Sequence, residues 1–154
     1  MPLFFILLGI IQFGFIFNTY VTMTNAARDA ARLGTVYVYD RDSSKTQNDL
    51  YRNEAIKTSV LASMSMLGKT APYFTTGGTW SQSGTSTEPI FTQGDLVITY
   101  KLNGQLDTDA RVGQRVTVSA TYHEDLIVPL ISTFLPKDGG GRLSLQGVVT
   151  MVIN

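Results

Sequence analysis

The chain has no cysteine, a single histidine, a single tryptophan, and no charged side chain before Arg28. Without cysteine there are no disulfides, no thiolate metal sites and no thiol catalysis, so rigidity has to come from packing or assembly. Charge is sparse as well. Twelve basic and twelve acidic residues cancel, and only 16% of positions are charged, so no basic excess argues for nucleic acid. The lone histidine, His123, has no G-x-S-x-G or similar frame to make it part of a triad. A surface ion pair with its neighbours Glu124 and Asp125 is the simpler reading. Asp107 and Asp109 form a D-x-D, a weak candidate for part of a calcium site, but further oxygen ligands cannot be picked out and no EF-hand loop is present. The glycine runs at 77–78 and 139–141 lack the Lys-Ser/Thr of a phosphate loop. No enzymatic activity and no cofactor are expected.

What the chain does have is an apolar beginning. Met1 to Phe17 reads MPLFFILLGIIQFGFIF, with Gln12 its one polar side chain. The uncharged stretch runs for about 27 residues, roughly 40 Å as a helix, against a hydrocarbon layer of about 30 Å. Pro2 suits a first helical turn. The run is apolar all round, as in a helix enclosed on every side. Leu3, Phe4, Phe5, Ile6, Leu7, Leu8, Ile10, Ile11, Gln12, Phe13, Phe15, Ile16 and Phe17 are therefore the expected membrane or filament-core surface. Gly9 and Gly14 are either flex points or small residues that admit close neighbours. No basic n-region and no Ala-x-Ala site flank the run, so the expectation is a product whose basic leader, if it had one, has been removed or lies outside this sequence.

From Asn18 the pattern becomes amphipathic. Tyr20, Met23, Ala27, Ala30 and Ala31 recur at helical spacing and are expected to pack against a domain, with Arg28, Asp29 and Arg32 on the polar side. Gly34 can end this helix, or VYVY at 36–39 can extend it or begin a strand. After the solvated loop DRDSSK, a second helix is predicted, capped by Thr46 or Asn48, with Leu50, Ile56, Val60, Leu61, Met64 and Leu67 as its apolar stripe and Gly68 and Pro72 as its stop. Residues 74–94 read as a long loop or loose hairpin carrying Trp80, which is a core plug, an intersubunit contact or a ligand platform. The segments 96–102, 115–123 and 142–154 alternate as strands, with Gly147 a predicted bulge. Between the last two, 125–135 is strongly apolar and broken by Pro129, so it is expected to be a short helix or wedge rather than a strand, covered by the chain's own helices or a neighbouring copy. Its Leu126, Ile127, Leu130, Ile131 and Phe134 join Trp80 as candidate intersubunit contacts. The predicted fold is α+β: a long N-terminal apolar helix as spine, its C-terminal half laid on a small antiparallel sheet, plus a second short helix. The division falls at 1–27 for the apolar helix and 28–154 for the globular domain.

The beginning of the chain resembles the TadE-like proteins, pilin-like subunits of the tight-adherence branch of type IV pili. The likeness rests on Pro2, on Ile10, Ile11, Phe13 and Gly14 within an Ile-Ile-Glu-Phe-Gly pattern, and on Asn25, Ala26, Ala27, Arg28, Ala31 and Arg32 in an Asn-Ala-Ala-Arg block. It covers about the first 34 residues by motif and the rest by layout. Gln12 stands where the pattern has Glu, and Asp29-Ala30 where it has Glu-Gly. Type IV pilins usually carry a glutamate near the mature N-terminus, whereas position 5 here is Phe5 and no acid precedes Asp29. Either the mature chain has further residues, or the subunit docks without that ion pair. The resemblance implies insertion in the inner membrane, cleavage by a prepilin peptidase, and polymerisation with other copies into an extracellular filament, with minor pilins and an inner-membrane assembly platform as further partners. A second reading is a bitopic membrane-anchored scaffold or binding protein of a pilus or secretion assembly, which predicts discrete particles in detergent and no fibres. A third, an anchored hydrolase, requires a converged catalytic cluster that the residues do not supply.

Overall fold

Pro2 to Thr35 forms one uninterrupted helix, α1. A computed structural model of the chain describes residues 2–65, 67, 74–85, 87–101, 111–128 and 135–154. Gly34 lies in the last turn of α1, as its breaker character predicts, and VYVY beyond it is neither helix nor strand. A Cβ at Gly34 would come within 2.8 Å of Ile56 Cδ1, so this glycine also lets the second helix approach. That helix, α2 (Lys45–Met64), is capped not by Thr46 or Asn48 but by Ser44, whose hydroxyl accepts from the Gln47 N–H at 3.2 Å. Asn48 turns inward instead. Its amide donates to the carbonyl of Asp40 at 2.8 Å, and its Oδ1 accepts the Asp40 N–H at 2.8 Å, which pins the α1–α2 connection.

The buried face of α2 also differs from the predicted stripe. Ile56, Val60 and Met64 are buried as expected, while Leu61 is 39% exposed and Leu50 half-buried. The first two turns of the face are completed by Asn48, Asp49, Arg52 and Asn53, which are polar or charged and nonetheless buried. The predicted stop at Gly68 and Pro72 lies outside the described residues.

Among the described residues the sheet has five strands, two more than the alternation predicts: β1 (Ser81–Gly84), β2 (Pro89–Gln93), β3 (Leu96–Lys101), β4 (Arg115–Glu124) and β5 (Leu143–Val152). They form an antiparallel meander in the order β1-β2-β3-β4-β5. β1 and β2 arise from the stretch expected to be a loop or loose hairpin. β1 is Ser-Gln-Ser-Gly, exposed throughout, and shows no apolar alternation to read. The inner face of β2, β3 and β4 buries Phe91, Leu96, Ile98, Tyr100, Val116, Val118, Ala120 and Tyr122 under the two helices. Of the segment 125–135, residues 125–128 are neither helix nor strand, in keeping with the wedge alternative, and 129–134 lies outside the described residues.

Gly147 is not a bulge. The β4–β5 register is unbroken from Arg115↔Val152 to Glu124↔Leu143, with Gly147 opposite Ala120. The glycine serves close approach instead, because a Cβ there would lie 3.2 Å from the carbonyl oxygen of Met23 on α1. The obstacle is backbone, which gives way only if the helix lifts off the sheet. Gly147→Val is therefore expected to cost about 1–3 kcal/mol, read as a lowered thermal midpoint by circular dichroism.

Candidate functional site

The two halves of α1 have opposite surroundings. From Met23 upward, Met23, Ala26, Ala27, Ala30 and Ala31 are wholly buried in the domain core, where small side chains let helix and sheet approach. Tyr20, predicted on this face, is about half exposed, and Ala26 takes a place in the buried set. The 1–27 division thus falls within the packed part of the helix. Below it, Leu3, Phe4, Phe5, Ile6, Leu7, Ile10, Ile11, Phe13, Phe15 and Phe17 are all exposed, and Leu8 and Ile16 are only partly covered. α1 is long and apolar enough to cross a membrane, and only 11% of its most apolar window is buried, unlike the core helix of a soluble domain. Monomeric soluble proteins rarely show contiguous apolar surface on this scale.

Among the described residues of the lower half, Gln12 and Thr19 are the enclosed ones. Gln12 is 1% exposed, because the chain leaving β4 runs alongside the helix there. Its Oε1 accepts the Ile127 N–H at 2.8 Å, and its Nε2 reaches the Asp125 carbonyl at 3.5 Å. Two turns higher, Thr19 Oγ1 donates to Glu124 Oε2 at 3.1 Å. Asp125 pairs with Arg142 through a 3.0 Å contact from Nε. Around Gln12, Leu126 is half-buried, Val128 buried and Ile127 69% exposed; Leu130, Ile131 and Phe134 lie outside the described residues.

Burial pushes the Glu124 carboxyl up from its ordinary 4.5, more than the Thr19 hydrogen bond lowers it, and the neighbouring Asp125 adds to the rise. A raised carboxyl contributes stability that is fully present below the unfolded value and is lost as pH rises through the folded one. Glu124→Gln, which keeps an acceptor for Thr19, is therefore expected to raise the thermal midpoint at pH 7 and to leave it nearly unchanged at about pH 4. Equal effects at both pH values would contradict this assignment.

His123 does face carboxylates, but not those of Glu124 or Asp125. Strand alternation sends Glu124 towards α1 and His123 to the other face. There Nδ1 meets Asp138 Oδ2 at 2.6 Å and Nε2 meets Asp95 Oδ1 at 3.3 Å. Ser144 Oγ lies 3.4 Å from the same Nδ1 that faces Asp138. A nucleophile relay needs the serine on one ring nitrogen and the acid on the other, whereas here each nitrogen already faces a carboxylate. Among the described residues no group of three or more His, Asp or Glu is arranged to hold a metal ion, and Asp107 and Asp109 lie outside them. Trp80 packs on the edge of the chain's own core and donates its indole N–H to Glu54 Oε1 at 2.7 Å.

A buried polar cluster joins α2 to β3 and to the loop that leads into β4, and nothing in the charge pattern alone marks it. Asp49 holds the Arg111 guanidinium through both carboxylate oxygens, and Arg52 Nη1 lies 3.7 Å from the same group. Arg52 stacks over the Tyr37 and Tyr100 rings, and Arg111 over Tyr100. The Tyr100 hydroxyl, whose acidity burial suppresses, donates to Asn53 Oδ1 at 2.6 Å. The signal that marks this cluster is the i, i+3, i+4 spacing of Asp49, Arg52 and Asn53, in phase with Ile56 and Val60.

No curated protein and no solved structure matches the chain. Residues 1–32, from the first turn of α1 through Arg32, match the family model of the TadE-like proteins, the same family that the apolar run and the Asn-Ala-Ala-Arg block resemble.

Proposed function

We propose that this chain is a structural, pilin-like subunit that enters the inner membrane through the lower half of α1 and then polymerises through it into an extracellular filament. The observation that carries the reading is the division of α1 itself. Its upper half is locked into a folded domain, while its lower half presents apolar side chains outward at nearly every position. Such a surface is stable in lipid or among copies of itself, and both surroundings are equally dry. Transfer from one to the other needs no refolding of the domain, because the core contacts of Met23 to Ala31 are the same in both. Prepilin peptidase, minor pilins and an assembly platform are the partners this life cycle requires. The domain then faces outward as the filament's surface. Material sheared from the cell surface is expected to contain uniform fibres built from this chain. Finding the chain only as discrete detergent particles, with no fibres, would replace this reading with that of a membrane-anchored scaffold.

A further inference from the structure

Gln12 is the only polar side chain between Pro2 and Phe17, yet it faces neither solvent nor the expected apolar surroundings. It closes on the backbone of the segment leaving β4. Levels along α1 show where that segment lies. Glu124 is tied to Thr19, and Ile127 to Gln12 seven residues lower, a drop of about 10 Å along the helix axis. Three extended residues span about 10 Å, so the chain descends from Glu124 to Ile127 nearly parallel to the helix.

Phe17 is 69% exposed on the far side of α1. Whatever apolar medium encloses the rod must reach at least to Phe17, about 7 Å above Gln12. Ile127, at the level of Gln12, then lies below the surface of that medium. Pro2 to Thr19 spans about 25 Å, close to a hydrocarbon layer of about 30 Å, and puts Thr19 and the Glu124 carboxyl it bonds at the headgroup level. Tyr20, half exposed just above, suits that boundary.

Non-helical backbone is tolerated at membrane depth only where its polar groups find partners within the protein. The Gln12 amide meets this requirement for the Ile127 N–H and reaches the Asp125 carbonyl. We propose that the segment 126–128 is a second membrane contact, a short wedge that dips Ile127 into the outer-facing leaflet beside α1, with Gln12 as its hydrogen-bonding seat. The occupant of the exposed Ile127 side chain is the lipid acyl chain. The inference rests on the membrane-inserted stage proposed above and adds that the domain, not α1 alone, enters the bilayer.

The absence of cysteine makes the test clean. The full chain carrying Ile127→Cys, labelled with an environment-sensitive nitrobenzoxadiazole dye, is reconstituted in palmitoyl-oleoyl phosphatidylcholine vesicles containing a fraction of acyl-chain nitroxide lipid. Phe5→Cys on the free rod and Val38→Cys, 84% exposed at the other end of the molecule, serve as references. The label at 127 is expected to emit to the blue of the label at 38 and to be quenched several-fold more by the nitroxide. A label at 127 that behaves like that at 38, while the label at 5 is quenched, overturns the wedge and leaves the membrane-inserted helix standing. Labels at 5 and 127 that both behave like that at 38 overturn both readings. In a Gln12→Leu background, quenching at 127 is expected to fall several-fold, because the wedge backbone loses its partner and withdraws towards water. Unchanged quenching would overturn the seat assigned to Gln12.

Discussion

Ile11→Asp and Phe13→Asp are each expected to abolish fibres while leaving the subunit folded and in the membrane. Both side chains are about half exposed in the single chain, and neither contributes to the domain core, so the domain itself has no reason to unfold. The cost arises only when the rod is enclosed. In the bilayer a central aspartate costs about 3 kcal/mol on insertion scales, whereas the Leu, Ile and Phe residues of 3–17 together favour insertion by about 5 kcal/mol. Insertion therefore survives. Among packed helices the same carboxylate has no lipid edge to snorkel to and no positive partner, because no charge precedes Arg28. A lone buried charge costs several kcal/mol, and it is repeated at every subunit of a polymer. The measurements are the membrane fraction of the variant and electron microscopy of sheared material. Val38→Asp, at an exposed position far from the rod, should leave fibres unchanged. Normal fibres from either rod variant would remove the apolar helix from the filament core.

Why some of this was readable in the sequence and some not follows from where each signal sits. The helix α1 is legible because apolar character persists for many turns, and β3, β4 and β5 because apolar and polar residues alternate along them. β1 carries no such alternation and takes its place through pairing with β2 alone. Ser44 was hidden as a cap because DRDSSK reads as a solvated loop, although a serine one residue before a helix is the commoner cap. Gly147 illustrates a different ambiguity. A glycine in a strand signals either a bulge or a close approach of other backbone, and only the crossing of α1 at Met23 selects the second. The seat of Gln12 had no complementary signal at all. Its partners are backbone groups of Asp125 and Ile127, more than a hundred residues away, and backbone groups carry no residue identity. The charged cluster on α2 is hard to find because Asp49 and Arg52 look like surface residues until their phase with Ile56 and Val60 is taken as seriously as their charge.

Asp49→Asn is expected to be the most destabilising single substitution within the domain. Among the described residues, Asp49 is the one carboxylate set against two enclosed guanidiniums, Arg111 and the almost fully buried Arg52. Among the described residues, Arg52 Nε and Asn53 Nδ2 already lack hydrogen-bond partners, so the cluster has no spare acceptors to offer. The aromatic faces of Tyr37 and Tyr100 soften the charge of Arg52, at about 1–2 kcal/mol, without replacing its counter-ion. Removing the carboxylate charge leaves two like charges facing each other in a poorly solvated space. Breaking a buried pair from one side typically costs about 3–5 kcal/mol, which for a domain of this size lowers the thermal midpoint by on the order of 10 °C. Lys57→Met, which removes the more exposed pair with Glu54, should cost no more than about 1 kcal/mol. If stranded charge is the cause, adding Arg52→Met to Asp49→Asn should recover part of the loss, because an apolar side chain of similar length fits between the two tyrosine rings and one of the opposed charges is gone. Thermal melts of the solubilised full chain decide it. A double variant less stable than Asp49→Asn alone would mean that Arg52 acts through its packing rather than its charge, and an Asp49→Asn melt unchanged from the parent would dissolve the cluster as the joint between α2 and the sheet.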